Sequence, residues 1–311
     1  MNRRKLFGSV AAAGLLTTVS FGPSGGALFL ERASDTKLWV WTRTAGHRWI
    51  RYELRRFTNA SLRLDAWRIQ AISAVDLTGD APVPGSGEVK GLDLTTGGNY
   101  EYALRLVDGS DHVGGLHGDE LLKSFLLLAD GRRAPAPGTV TALTTFELAQ
   151  DTVLLDPDAV GTELGDMHVR HVFTSDGLRL RWDLDWKAGR AVEYAYGAML
   201  PAVRSPTVTT WFRYLDRAVE HDISTAGHRA PPADSCGVQM YNTTNGASLS
   251  VEVSPSFFAG YAGSAGRGIW VYDGPDYNKV YPTRVSRPSR EQVTPGVTWS
   301  LDATYRFLFP L

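Results

Sequence analysis

Apolar and polar side chains alternate with a period of two residues along most of this 311-residue chain. The segment 178–186 reads LRLRWDLDW, so its apolar and its charged residues fall on opposite faces of an extended strand. Alternation of this kind is typical of half-buried antiparallel strands, with one face in a core and one in water. The same pattern recurs in the segments 37–43, 49–57, 62–69, 100–107, 191–196, 208–214, 248–253 and 298–307.

Turn-forming residues separate these segments, and helical patterns are few. The chain contains 32 glycines and 16 prolines, and Ser175-Asp176-Gly177 and Lys187-Ala188-Gly189 predict hairpin loops between consecutive strands. Segment 121–129 fits a buried strand or one short helix, and 146–155 is ambiguous. We therefore predict an all-β fold. The expected architecture is a large antiparallel β-sandwich with few or no helices, formed by residues 28–311 as a single domain.

Composition and charge narrow the classes of function. The chain is 43% hydrophobic and 21% charged, as in water-soluble globular proteins, and its formal net charge is −1. Nucleic acids and anionic membranes bind basic surfaces, so neither is an expected partner. The single cysteine, Cys236, excludes an intramolecular disulfide and a thiolate zinc cluster. The sequence also lacks a Gly-x-Ser-x-Gly elbow, a Walker loop and a His-Glu-x-x-His motif.

The N-terminal residues 1–27 have the pattern of an export signal. Arg3, Arg4 and Lys5 precede an apolar stretch, 6–21, that is rich in small residues, and small residues lead to a cleavage site after Ala27. The adjacent arginines favour a twin-arginine signal over a plain secretory one. The sequence therefore predicts a secreted protein, exported across a bacterial cytoplasmic membrane. No later apolar segment is long enough to span a membrane.

Two segments expected on neighbouring strands carry a resemblance to a known family. Trp182-Asp-Leu-Asp-Trp186 and Tyr194-Ala-Tyr196-Gly-Ala-Met-Leu200 resemble the super-sandwich β-domains related to galactose mutarotase, which occur in polysaccharide lyases and glycoside hydrolases. The resemblance covers residues from about His168 to the C-terminus and rests on the strand pattern. It implies a carbohydrate ligand, and it does not separate a lyase from a hydrolase. Trp182 and Trp186 themselves are expected in the core.

Segment 111–120, DHVGGLHGDE, is the part of the chain least explained by folding. Histidine exchanges protons near neutral pH, and a neighbouring carboxylate can orient it. We expect His117 to be a general base or acid, with His112 nearby and Glu120 or Asp119 orienting one of them. The alternative is a tight glycine-rich turn whose histidines bond to backbone. His112, His117 and Glu120 could also hold a divalent metal, but their spacing matches no strong signature, so no cofactor is expected.

Residues 168–171, His-Val-Arg-His, form a second cluster. In a strand, His168 and Arg170 share one face and His171 points the other way. Arg170 could bind a sugar carboxylate through two parallel hydrogen bonds, and His171 is also expected to be a substrate-binding residue. The alternative is a structural role: one of the histidines is half-buried with its hydrogen bonds satisfied, and Arg170 lies in a row of side chains on the surface of the sheet.

Aromatic residues interleave with polar ones in segment 270–281, WVYDGPDYNKVY, which Arg284 follows. Such a segment suits stacking on sugar rings, with bonds to hydroxyl or carboxylate groups, and it could equally be a tyrosine-rich hairpin. The expected substrate-binding residues here are Tyr277, Lys279, Tyr281 and Arg284. Tyr196 is a candidate catalytic phenol; because phenol is a weak base at its usual pKa of about 10, it needs a cationic neighbour such as Arg170.

Together these residues favour a polysaccharide lyase that cleaves a uronic-acid-containing glycan by β-elimination. His117 would be the base, Arg170 or Lys279 would neutralise the sugar carboxylate, and Tyr196 or Tyr281 would be the acid. The alternatives are a glycoside hydrolase and a protein without catalysis. The hydrolase would pair Glu120 with Asp119, or with a distant Asp183 or Asp185. The non-catalytic protein would be a carbohydrate-binding module or a purely structural β-protein. The lyase hypothesis requires His117, Arg170 and Tyr196 to line one groove.

Overall fold

The computed structural model describes residues 27–227, 234–259 and 268–310. These residues form two β-sheets, one four-residue α-helix and one 3₁₀ turn. The prediction of an all-β fold built as a large antiparallel β-sandwich is confirmed. The predicted export signal lies outside the described residues except for Ala27. The described residues contain no helix that is long and apolar enough to cross a membrane.

The strands are numbered along the chain. The first twelve are β1 (Leu28–Arg32), β2 (Lys37–Ala45), β3 (Arg48–Asn59), β4 (Leu64–Asp76), β5 (Leu92–Asp93), β6 (Tyr102–Leu106), β7 (His112–Val113), β8 (Glu120–Ala129), β9 (Arg132–Arg133), β10 (Thr139–Leu143), β11 (Phe146–Leu155) and β12 (Glu163–Thr174). The others are β13 (Gly177–Trp186), β14 (Arg190–Gly197), β15 (Leu200–Val203), β16 (Trp211–Tyr214), β17 (Glu220–Asp222), β18 (Gly237–Tyr241), β19 (Ser248–Val253), β20 (Gly268–Asp273), β21 (Tyr277–Val285), β22 (Glu291–Val293) and β23 (Thr298–Leu308), with the 3₁₀ turn at Ser86–Glu88 and the helix α1 at Ser256–Ala259.

The two sheets differ in size. The hydrogen-bonded order of the large sheet is β10-β1-β2-β3-β4-β8-β11-β12-β13-β23-β19-β18-β16-β17, with β5 beside β4 and β9 beside β8. Its described pairs are antiparallel except β4 and β8, where Leu64 pairs with Glu120 in parallel. The small sheet has the order β15-β21-β14-β6-β7, with β20 beside β21 and β22 beside β14. Val280 of β21 pairs with both Leu200 of β15 and Val271 of β20, so β15 and β20 flank β21 on opposite sides.

The apolar core lies between the two sheets, where inward-facing residues of each alternate with outward-facing polar ones. Trp182 and Trp186 of β13 are buried in it, which confirms their predicted core role. The sheets approach closely at Gly197 of β14, because a Cβ there would come 2.4 Å from Leu301 Cδ1 of β23. Glycine at this position therefore allows β14 to pack directly on the large sheet.

The structure decides two assignments that the sequence left open and corrects one expected connection. Segments 121–129 and 146–155 are both strands, β8 and β11. The loop at 187–189 is not a hairpin, because β13 pairs with β12 and β23 while β14 belongs to the small sheet. The segments of the family resemblance therefore lie on facing sheets rather than on neighbouring strands. This crossover carries Tyr194 and Tyr196 to the far side of the sandwich.

Candidate active site

The outer face of the small sheet carries a row of aromatic side chains. Trp270 of β20 stacks on Tyr281 of β21, with ring centroids 4.3 Å apart and planes 5° apart. The ring of Tyr281 lies 5.0 Å from that of Tyr196 of β14, which lies 5.8 Å from Tyr194. These residues point away from the core because Ala195 and Val280, which alternate with them, point into it. We call this surface the aromatic face.

The histidine loop, residues 111–119, reaches this face from β7. The rings of His112 and His117 stack with their centroids 4.9 Å apart, and the ring of His112 lies 6.2 Å from Tyr194 and 6.4 Å from Tyr196. The structure thus brings together His112, His117, Tyr196 and Tyr281, four of the predicted site residues, from three distant stretches of the chain.

Glycines fix the shape of the histidine loop. Gly114 and Gly118 have φ values of 80° and 104°, a region that other residues rarely adopt. A Cβ on Gly114 would come 2.3 Å from the ring of Tyr102, and the backbone N–H of Gly114 donates to the carbonyl of Gly118 at 2.9 Å. Asn99 Oδ1 accepts the N–H of Leu116. The glycines therefore allow the loop to pack tightly on the core beneath it.

Burial keeps both imidazoles neutral. It lowers the pKa of His112 to about 4, with further contributions from the charges of His117 and Arg105. Burial also lowers the pKa of His117 below its usual 6.5. Among the described residues, neither ring forms a hydrogen bond within the protein. At neutral pH both imidazoles therefore offer free lone pairs, as a general base requires.

Lys279 supplies a cation at the same face. Its Nζ lies 5.1 Å from the ring centre of Tyr281, and burial lowers its pKa to about 8. No carboxylate of the described residues forms an ion pair with it. An anionic ligand group would therefore find a desolvated, uncompensated ammonium here.

The phenols of the face stay protonated at neutral pH. Burial raises the pKa of Tyr281 to about 12 and raises that of Tyr196 as well. A phenol of this kind can donate a proton but cannot serve as a base near neutrality.

The carboxylate of Glu193 lies at the edge of the aromatic face beside His112, where two arginines hold it. Arg287 donates to both oxygens of Glu193 at 2.8 Å, and Arg105 Nε lies 3.2 Å from Glu193 Oε1. The guanidinium of Arg287 also covers the ring of Tyr194 at 5.7 Å. None of these three residues was among those predicted from the sequence. The only available signal was the alternation of Arg105 with inward-facing Leu104 and Leu106 in β6.

One group of side chains near the face could hold a metal ion. Asp111, His112 and His117 each offer a ligand atom, and these atoms lie within 4.8 Å of one another. Three such ligands with an open position suit a divalent transition metal. Glu120, the carboxylate expected from the sequence, does not belong to this group.

Glu120 lies in the core, which corrects its expected catalytic role. It is fully buried and paired with the equally buried Arg68, and Thr152 donates to its other oxygen at 2.7 Å. Asp119, the alternative orienting residue, pairs with Arg63. Because both carboxylates are engaged elsewhere, neither orients a histidine. Glu120 instead anchors the end of the histidine loop.

Arg170 and His171 do not reach the aromatic face. His171 is fully buried, and its Nε2 bonds to Glu101 Oε1 at 3.1 Å. Arg170 points the other way, toward solvent on the outer face of the large sheet. The expected convergence of Arg170 with His117 and Tyr196 is therefore wrong. Arg170 lies on the large sheet and His117 follows β7 of the small sheet, and the pattern within one strand does not show which of its faces meets a distant segment.

The remaining predicted residues lie on β21. Arg284 faces inward, where it pairs with Glu291 at 2.7 Å and covers the ring of Trp299 at 4.5 Å, so its expected contact with substrate is wrong. Tyr277 shares the outward face with Lys279, since the two alternate with buried Asn278. Its ring lies 5.6 Å from that of Tyr272, at the far end of the face.

Known proteins offer distant likenesses of fold. No protein-family model and no curated protein sequence matches the chain. Among solved structures it is similar to a putative aldose 1-epimerase from Klebsiella pneumoniae, with a TM-score of 0.40, 9% identity, and coverage of 88% of this chain and 84% of that one. A putative aldose 1-epimerase from Escherichia coli has a TM-score of 0.36 and 10% identity, with coverage of 90% of this chain and 99% of that one. A galactose mutarotase-like protein from Lactobacillus casei has a TM-score of 0.32 and 7% identity, with coverage of 82% of this chain and 99% of that one.

Proposed function

We propose that the protein is a carbohydrate-active enzyme, a polysaccharide lyase that cleaves a uronic-acid-containing glycan on the aromatic face. The observation that carries the proposal is the combination found there. Two neutral imidazoles, protonated phenols and an ammonium that has no acidic partner among the described residues all lie beside stacked aromatic rings. Stacked rings bind the apolar faces of sugars, and the ammonium suits an acidic one. We further propose that the enzyme acts outside the cytoplasm after residues 1–27 are removed.

The chemistry follows from these placements. Trp270 and Tyr281 position the sugar, and Lys279 binds its carboxylate, which makes the C5 proton more acidic. His117 takes that proton, and the electrons form a double bond between C4 and C5 as the C4–O bond breaks. Tyr196 or Tyr281 donates a proton to the leaving glycosidic oxygen. Each phenol starts protonated, as its role requires.

A paired-carboxylate hydrolase has less support. Among the described carboxylates near the face, Glu193 is held by two arginines and Asp111 is exposed. A non-catalytic binding module would explain the aromatic rings, but it gives no role to the desolvated histidines.

Incubation with uronic-acid polymers tests the proposal. A lyase releases oligosaccharides with a C4–C5 double bond that absorbs ultraviolet light, whereas a hydrolase creates reducing ends without that absorbance. We expect absorbance to rise in step with new reducing ends, and no rise with a neutral polymer such as amylose. New reducing ends without absorbance would identify a hydrolase, and binding without cleavage would identify a binding module.

A further inference from the structure

A groove crosses the outer face of the large sheet, on the other side of the sandwich from the aromatic face. Its volume is about 590 Å³, within the range of small-molecule sites, roughly 300–1,000 Å³. It contains His168 and Arg170, which the proposed reaction does not use. We call it the transverse groove, because it runs across β8, β11, β12 and β13.

Strand register builds the groove from two rows. Asp151 pairs with Ser124 on one side and with His168 on the other, and His168 pairs in turn with Asp183. The second row lies two residues along each strand, on the same face. The second row consists of Leu126, Ala149, Arg170 and Arg181. Ala149 lies inside this row, and its single methyl group leaves space beside Arg170.

The polar side chains of the first row are held in place by hydrogen bonds. Ser124 donates to Asp151 Oδ2 at 2.7 Å, and His168 Nδ1 lies 2.7 Å from Asp151 Oδ1. Ser300 donates to Asp183. These bonds hold carboxylate oxygens at the groove in set orientations, ready to accept hydrogen bonds from hydroxyl groups.

The second row carries two positive charges, those of Arg170 and Arg181, and acidic partners neutralise them only in part. Arg170 stands directly opposite Arg181 across the strand pair, an arrangement that is unfavourable for like charges. Arg181 donates to Asp302 at 2.9 Å, whereas the ion-pair partner of Arg170, Glu147, lies 3.7 Å away, beyond hydrogen-bond distance. The Arg170 side chain is 65% exposed. An anionic ligand group between the two guanidiniums would relieve their repulsion and bind the free donors of Arg170.

We propose that the transverse groove is a second, non-catalytic saccharide-binding site. Arg170 and Arg181 hold the carboxylate or sulfate ester of an acidic sugar, and Asp151 and Asp183 accept bonds from its hydroxyls. The choice of an acidic glycan rests on the proposed function; the anion-binding geometry stands without it.

Calorimetry on the His117→Ala protein tests the site without consuming the ligand. With a galacturonic acid hexamer, we expect two binding sites per chain. Adding Arg170→Gln should weaken one site at least tenfold, and adding Lys279→Gln should weaken the other. Arg306→Gln is the matched control, because Arg306 is 57% exposed and also has its ion-pair partner at 3.7 Å. It should leave both sites unchanged, and circular dichroism should show all variants folded.

Three results would overturn the inference: one binding site that Arg170→Gln does not alter, equal weakening by Arg306→Gln, or inorganic sulfate or phosphate binding as tightly as the hexamer. A sulfated galactose hexamer in parallel shows whether a carboxylate or a sulfate ester is preferred. The outcome is separable from the lyase proposal. Arg170-dependent binding without unsaturated product refutes only the lyase, and turnover without an Arg170-dependent site refutes only the groove.

Discussion

The two histidine pairs of this protein differ in how the surrounding structure uses them. His112 and His117 stack on each other at the aromatic face, and burial lowers the pKa of each. His168 and His171 lie three residues apart on β12, and each bonds to a carboxylate: His168 to Asp151 at 2.7 Å, His171 to Glu101 at 3.1 Å.

The difference shows what makes a histidine available for chemistry. A hydrogen bond to a carboxylate occupies one ring nitrogen of His168 and one of His171. Among the described residues, the rings of His112 and His117 form no hydrogen bond, and burial favours their neutral form. His171 also belongs to a buried polar network, because Glu101 accepts the N–H of Ile69 and lies near Arg68. The first pair is therefore suited to proton transfer, and His171 to holding the fold together.

The largest expected difference between the pairs is in turnover. His117→Ala removes the proposed base, and general-base catalysis contributes about 10²–10⁴-fold, so the rate of unsaturated product formation should fall by that factor. His47→Ala, which removes an exposed histidine far along the chain from the site, should retain at least half of the rate. An equal fall in rate in both variants would contradict the role of His117 as the base.

The second contrast is in stability. His171→Leu leaves the buried Glu101 carboxylate without one of its donors, which should lower the free energy of unfolding by about 1–3 kcal/mol in urea titrations. Activity per folded molecule should stay within twofold of wild type. His117→Ala should change the free energy of unfolding by less than about 1 kcal/mol. If His171→Leu and His117→Ala lower the free energy of unfolding by the same amount, the proposed difference between a structural and a catalytic histidine is wrong.

The third prediction concerns pH. His117 must be neutral and its pKa lies below 6.5, so kcat/KM should fall only as pH drops below that value. Lys279 must be charged and its pKa is about 8, so the rate should also fall as pH rises through about 8. Lys279→Arg keeps the charge at high pH and should move the alkaline limb upward. An alkaline limb that does not move would exclude Lys279 as its source.

The smallest expected effect concerns stacking. Trp270→Ala removes a ring contact worth about 0.5–1.5 kcal/mol, so KM should rise roughly two- to tenfold with little change in kcat. Tyr241→Ala on the large sheet is the comparison, and its KM should stay at the wild-type value. A lower kcat with unchanged KM for Trp270→Ala would contradict a stacking role.

The sequence predicted the fold better than the site. Period-two alternation is a local property, and it located strands such as β3, β13 and β23, while it left β8 and β11 open. Which sheet a strand joins depends on hydrogen bonds to distant partners, such as β13 to β23, and no local pattern encodes them. For the same reason the sequence showed that Arg170 and His171 point to opposite faces but not which face meets His117. Glu120 was misassigned because its buried partner, Arg68, lies 52 residues away.

A crystal structure of the His117→Ala protein with a uronic acid tetramer tests the central claim, that substrate lies on the aromatic face. The account predicts a sugar ring packed against Trp270 and Tyr281, its carboxylate within hydrogen-bonding distance of Lys279 Nζ and its C5 turned toward the place of the missing imidazole. Tetramer bound in the transverse groove, with the aromatic face empty at saturating ligand, would contradict it.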